Sequence, residues 1–154
     1  MEPNEIQTAL AAAVEEVLET MCFASVLTSS EGAAPPEGGG TPAITVELRF
    51  EGNPPGGFRV SVPMKLAHVV GAGFLGREEA EVSDSEAGEV VCELANMICG
   101  TVLSRLENKA TFQITHPEMT PSEPGGCFDG DSTCRWFDLG DGFLIASLQL
   151  QQAV

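Results

Sequence analysis

The chain has 154 residues, 43% of them hydrophobic, enough for one domain whose core buries roughly two-thirds of the unfolded surface. That content excludes a disordered chain, and no run approaches the ~18 apolar residues of a membrane span. Seven Lys and Arg against 23 Asp and Glu give a formal charge of −16. The sign argues against a nucleic-acid binder or an anionic membrane surface and favours partners with cationic patches.

The opening residues Met1-Glu2-Pro3-Asn4-Glu5 carry neither a basic nor an apolar signal region, so the cytoplasm is the expected compartment. Pro3 followed by EIQTALAAAVEEVLETM predicts a first helix, with Ile6, Leu10, Val14, Val17 and Met21 at helical spacing. CFASVLTS, Cys22 to Ser29, turns toward strand chemistry. The Pro/Gly-rich stretch over residues 30–42 predicts a flexible loop. ITVELRF alternates along Ile44, Val46, Leu48 and Phe50, and after the turn EGNPPGG comes FRVSV, which together read as a hairpin. Pro63 suits the first turn of a helix MKLAHVVGAGFL. Ser83, three residues before Glu86, gives a capping box that opens the longest helix, Asp84 to Leu106. KATFQITH then reads as a strand, HPEMTPSEPGGCFDGDS as a loop, and TCRWFDL, GDG and FLIASLQLQ as a closing hairpin.

The two halves, about residues 1–63 and 64–154, read alike. RFEGNPPGGFRVSV aligns with WFDLGDGFLIAS, placing Phe50 over Phe137 and Gly57-Phe58 over Gly142-Phe143. VEEVLETM aligns with VCELANMI, setting Glu16 on Glu93 and Glu19 on Asn96. A duplication within a single domain is the economical explanation. The expected fold is α+β, a mostly antiparallel sheet built from two similar halves with two long helices packed on one face. Open strand edges in such a sheet favour a homodimer.

The longest helix carries the chemical signal. At 100° per residue, Glu86, Glu89, Glu93, Asn96, Gly100, Ser104 and Glu107 fall within an arc of roughly 80°, while most of the remaining circumference is apolar. A solvated acidic face explains the glutamates but not two other residues. Asn96 is a poor helix former, and Gly100, one turn on, costs up to about 1 kcal/mol against alanine. A glycine beside an amide clears room for another surface, and Glu93 and Asn96, three apart, point at the same partner.

Other motifs carry less. Gly71-Ala72-Gly73-Phe74-Leu75-Gly76 is formally a dinucleotide fingerprint, but no buried strand precedes it and no βαβ unit follows, so a helix end with close glycine packing is expected. Asp129-Gly130-Asp131 lacks the remaining ligands of a calcium loop. His68 and His116 have no second histidine at ligand spacing and read as structural or surface residues. Trp136 and Phe137 are expected in the core or at a sheet interface. Cys22, Cys92, Cys99, Cys127 and Cys134 are odd in number and form no CxxC pair. They read as small buried thiols rather than a disulfide framework or a zinc site.

The segment ELANMICG, with LGREEAE upstream, resembles the signature of the CheX/CheC chemotaxis phosphatases. In that family Glu-x-x-Asn on a helix is followed by a proline about twenty residues on; Glu93, Asn96 and Pro117 fill those places. The resemblance runs through nearly the whole chain in element order and is most specific over residues 64–117. It implies hydrolysis of the aspartyl phosphate of a phosphorylated CheY-like response regulator. Asn96 would orient the attacking water and Glu93 would pair with the regulator's lysine, with Glu89, Gly100, Glu86 and Ser104 at the contact. It further implies Mg²⁺ supplied by the regulator, none bound by this chain, and a dimer of the CheX branch. One departure from the family is the first-half equivalent, Glu16 with Glu19 in the asparagine place. A carboxylate cannot donate to a phosphoryl group and repels its charge, so one active motif per chain is expected. Glu89 is a second departure, standing where the family has Asp or Ser. The alternative from another class is a non-catalytic adaptor, docking a response regulator or a flagellar-switch component through the same stripe. Asn96 separates the two readings, because a docking face tolerates other polar residues there and a phosphatase does not.

Overall fold

Alanines and a stripe of apolar residues at helical spacing drive α1 (Pro3–Cys22), which buries Ile6, Leu10, Val14, Val17 and Leu18. The computed structural model describes residues 3–32, 42–52, 55–106, 113–120, 128 and 132–151. Most of the expected loop at 30–42, the expected strand residues 109–112, Asp129-Gly130-Asp131 and Glu107 lie outside them. α1 ends where Phe23 takes a left-handed backbone, φ 55°, and the Ala24 N–H donates to the Leu18 carbonyl at 3.0 Å. The strand expected from Cys22 therefore begins later, as β1 (Thr28–Glu31), where a partner strand is in reach.

α2 (Met64–Leu75) follows Pro63 and ends at Gly76, whose φ of 69° and N–H bond to the Ala72 carbonyl make a left-handed cap. Gly71 faces Val82 and Ala87, and a Cβ on Gly73 would stand 2.0 Å from the Cys22 carbonyl oxygen. The glycine motif is thus a helix end packed tightly against the end of α1. α3 (Asp84–Leu106) opens with the expected capping box: the Glu86 N–H donates to Ser83 Oγ and the Ser83 N–H to Glu86 Oε1, both at 3.1 Å. By length and mean hydropathy α3 could cross a membrane, yet 56% of that window is buried inside the fold. His68 of α2 meets Asp84 Oδ1 through Nε2 at 2.6 Å and ties the two helices together.

The remaining strands are β2 (Ala43–Glu51), β3 (Gly56–Pro63), β4 (Gln113–Ile114), β5 (Glu118–Thr120), β6 (Thr133–Asp138) and β7 (Phe143–Leu150). All pairings are antiparallel, in the order β1-β6-β7-β3-β2-β4, with β5 also on β2. The order reads the same from either edge if the halves are exchanged, because β1 joins the hairpin of the second half and β4 and β5 join that of the first. Ile44, Val46, Leu48, Phe50, Phe58, Val60, Leu144 and Leu148 form the buried face, over which the three helices pack. The fold is the α+β arrangement expected, with α2 as a third helix beside the two long ones.

Three expectations need correction. Phe50 pairs with Gly56 and Phe137 with Leu144, so Phe58 and Phe143 do not superpose but point to opposite faces. Phe58 is fully buried, whereas Phe143 meets Trp136 edge-to-face at 5.6 Å on the other side. The loop reading after His116 gives way to β5, because Thr45, Val46 and Glu47 of β2 supply pairing that local sequence does not reveal. Cys22, Cys92 and Cys99 are free, but Cys134 is disulfide-bonded, since spacing along the chain says little about which Cα atoms come within bonding reach.

Candidate functional site

Three or four residues per turn place Glu89, Glu93, Asn96 and Ser104 along one exposed line of α3, with Glu86 and Gly100 half-buried on the same line. The opposite side is anchored by Val91, Leu94, Ala95, Ile98, Cys99 and Val102 in the core. The backbone that carries the stripe is therefore held by packing along its length, and its side chains face outward from a fixed frame. Among the described residues no hydrogen bond or ion pair engages the side chains of Glu89, Glu93 or Asn96. The field along the stripe is negative. It is visible at Cys92, whose thiol is pushed up first by burial and then by the Glu93 and Glu89 charges.

Glu86 differs from the other candidates. Its carboxylate accepts the Ser83 N–H and takes Arg77 Nη1 at 2.6 Å. The Ser83 backbone bond and the Arg77 side chain hold its carboxyl below the usual range. Glu86 caps α3, and Arg77, from the link after α2, is the partner that sequence patterning does not reveal. Gly100 is different again. A Cβ there would meet only Ile114 Cδ1 at 3.8 Å, an ordinary contact. Among the described residues no clash demands glycine at that position.

The sheet edge flanks this stripe. Ile114 of β4 lies against Gly100, and Met119 of β5 lies against Gly88. Twelve helical residues span roughly 18 Å and five extended residues roughly 16 Å, so the β4–β5 segment runs alongside α3 and passes the turn bearing Glu93 and Asn96. Between the two strands, Thr115, His116 and Pro117 stand opposite only Leu48 and Arg49 of β2, which makes a bulge. Thr115 holds it, donating its N–H to the Arg49 carbonyl at 2.8 Å while its hydroxyl accepts the Arg49 N–H at 2.9 Å. Pro117, with no N–H to donate, sits where the ladder is already interrupted.

The first-half equivalents are on α1. Glu16 is paired with Arg105 of α3 at 3.4 Å, and Glu19 is exposed. A carboxylate in the place of Asn96 offers no donor. A carboxamide such as that of Asn96 both donates and accepts, which suits it to hold a water molecule against an electrophilic centre. The neighbouring Glu93 can receive a cation from a docking surface.

No curated protein matches the sequence. Among solved structures the chain is similar to a chemotaxis protein CheX from Desulfovibrio desulfuricans, with TM-score 0.72, 20% identity, and 96% of this chain and 99% of that chain covered. It is similar to the chain in a CheX–CheY–BeF3–Mg²⁺ complex from Borrelia burgdorferi, with TM-score 0.70, 18% identity, and 95% and 97% covered. It is also similar, less closely, to Thermotoga maritima FliY, with TM-score 0.56, 14% identity, and 96% and 90% covered. Residues 44–127, which include Glu93, Asn96 and Pro117, match the family described as chemotaxis phosphatase CheX, and this chain belongs to that family.

Proposed function

We propose that the chain hydrolyses the aspartyl phosphate of a CheY-like response regulator, with the exposed line of α3 as its active face. The observation that carries the reading is the pairing of Glu93 and Asn96 on a core-anchored helix, with both side chains uncommitted among the described residues. Phosphoryl transfer passes through a loose transition state and asks mainly for positioning and charge stabilisation. The Asn96 carboxamide oxygen accepts a hydrogen bond from a water molecule and so directs the water's lone pair at phosphorus, in line with the bond to the leaving carboxylate. Glu93 pairs with the regulator's active-site lysine and sets the helix across the regulator's pocket. Mg²⁺ bound to the regulator neutralises the phosphoryl oxygens. Glu89, Gly100 and Ser104 extend the contact, whereas Glu86 supports it from the helix cap.

The Borrelia burgdorferi complex supports CheY as the kind of partner, since a protein of the same family binds it. With Glu16 tied to Arg105 and Glu19 in the asparagine place, one active face per chain follows. Among the described residues β1 and β4–β5 stand at the two edges of the sheet, which supports a homodimer, and the reading places the protein in the cytoplasm with its regulator. The fold is shared with FliY and does not fix the activity. Asn96 supports hydrolysis over an adaptor role.

The test follows phosphate release from a phosphorylated, Mg²⁺-loaded CheY-like regulator, with and without the chain. Acceleration is expected with the native protein, and Asn96→Ala should lose about 100-fold or more of it. The variant should fold unchanged, because Asn96 is exposed and makes no bond within the described chain. Binding without acceleration would replace this reading by the adaptor.

A further inference from the structure

Of the four exposed large apolar residues among the described ones, three lie between Met21 and Leu27; the fourth is Met119 of β5, at 56%. Met119 pairs with Val46 of β2. Residues directly opposite in an antiparallel ladder point to the same face, and Val46 is buried on the face that carries the helices. The Met119 side chain therefore rises out of the sheet toward α3 rather than along the strand edge. Its Sδ would stand 2.9 Å from a Cβ on Gly88.

Gly88 is buried near the start of α3, and inside a helix glycine is the least favourable residue short of proline. The missing Cβ is what lets the thioether lie against the helix. The arrangement serves stability poorly on two counts: α3 forgoes a better helix former, and more than half of Met119 stays in water. What it achieves is a position. Gly88 immediately precedes Glu89, which leads the exposed line on to Glu93 and Asn96. That line offers charge and hydrogen bonds but carries no large apolar side chain, and Met119 supplies one beside its N-terminal end.

We propose that Met119 is a specificity-determining contact for the phosphorylated regulator, its thioether receiving an apolar side chain from the rim of the regulator's phosphorylation pocket while Glu93 and Asn96 enter that pocket. The inference rests on the reading of α3 as the active face. A flexible, polarizable thioether adapts its shape to the partner surface, and apolar contact around a charged centre keeps water out of it. A homodimer across the same sheet edge would take up the backbone groups of β5, in the plane of the sheet, and so a different part of the strand.

The full chain is titrated with a CheY-like regulator held in its phosphorylated form by BeF3⁻ and Mg²⁺, and phosphate release is followed separately with the phosphorylated regulator. Met119→Ser should weaken affinity and raise KM about tenfold, with kcat within about twofold of native, since Met119 touches no reacting atom. Met119→Leu should restore affinity to within about twofold of native. Gly88→Ala, whose methyl would displace the sulfur, should weaken affinity severalfold even though alanine favours the helix. Native affinity in Met119→Ser would overturn the proposal, as would a fall in kcat with KM unmoved. A changed sedimenting mass in Met119→Ser would assign the side chain to a contact between copies and overturn it equally. Failure of the native chain to bind the regulator would overturn the reading of α3 and this proposal with it. Binding without hydrolysis would overturn the phosphatase reading alone, because the affinity of Met119→Ser is read without hydrolysis.

Discussion

Replacing Gly100 with alanine separates stability from function on the face of α3. Inside a helix glycine is about 1 kcal/mol less favourable than alanine. The new methyl would stand 3.8 Å from Ile114 Cδ1, so it adds part of the roughly 0.8 kcal/mol of a buried CH₂ and meets no clash. Gly100→Ala should therefore stabilise the chain by about 1 kcal/mol. For a domain of this size that raises the melting temperature by roughly 2–4 °C, which thermal unfolding followed by circular dichroism measures. The same methyl protrudes beside Asn96 on the exposed line, so binding to a phosphorylated CheY-like regulator should weaken about tenfold, equivalent to roughly 1.4 kcal/mol. A fall in melting temperature would refute the packing reasoning around Ile114. A rise with unchanged regulator affinity would refute the assignment of Gly100 to partner clearance.

Glu93→Lys should weaken affinity for the phosphorylated regulator about tenfold or more in a titration, since it sets a cation against the regulator's lysine; unchanged affinity removes Glu93 from the interface. Gly73→Ala should destabilise the chain by about 1–3 kcal/mol in denaturant unfolding despite alanine's helix propensity, because the added Cβ would stand 2.0 Å from the Cys22 carbonyl oxygen, which is backbone and cannot rotate away. Glu86 titrates below its ordinary value in the folded chain. Its contribution to stability is therefore present above the unfolded carboxyl value and is lost as the pH falls through the lower folded value. Glu86→Gln should flatten the acid limb of the melting-temperature profile below the ordinary carboxyl range, and an unchanged limb would place the acid sensitivity elsewhere.

The bounds of α2 and α3 are legible because helices are closed locally. Pro63 presets the first turn of α2, the Ser83–Glu86 box opens α3, and Gly76 stops α2 with a positive φ. The exposed line of Glu89, Glu93, Asn96, Gly100 and Ser104 follows from the same periodicity. Once α3 is a helix with one polar side, the sequence fixes which residues share that side. The oddity of Asn96 and Gly100 on it is equally readable, since helix propensity belongs to the residue.

Everything that depends on distant segments meeting was decided by the tertiary structure. A strand has no partner within itself, so β5 and the bulge at Pro117 exist only because β2 offers Thr45, Val46 and Glu47 for pairing. The same holds for β1, which begins at Thr28, where Asp138 of β6 comes into register. Side-chain alternation makes an odd slip in alignment fatal to facing, and the ladder rather than local similarity put Phe58 in the core and Phe143 on the other side. Arg77 on Glu86, Arg105 on Glu16, Ile114 of β4 against Gly100 and Met119 of β5 against Gly88 are likewise contacts across chain separations that patterning does not reach. Sequence alone thus set the helix and its chemical line, because both arise from neighbours within a few residues. Only the packed fold built the surface around that line, because its other walls come from segments that hydrophobic burial and strand pairing bring together from far along the chain.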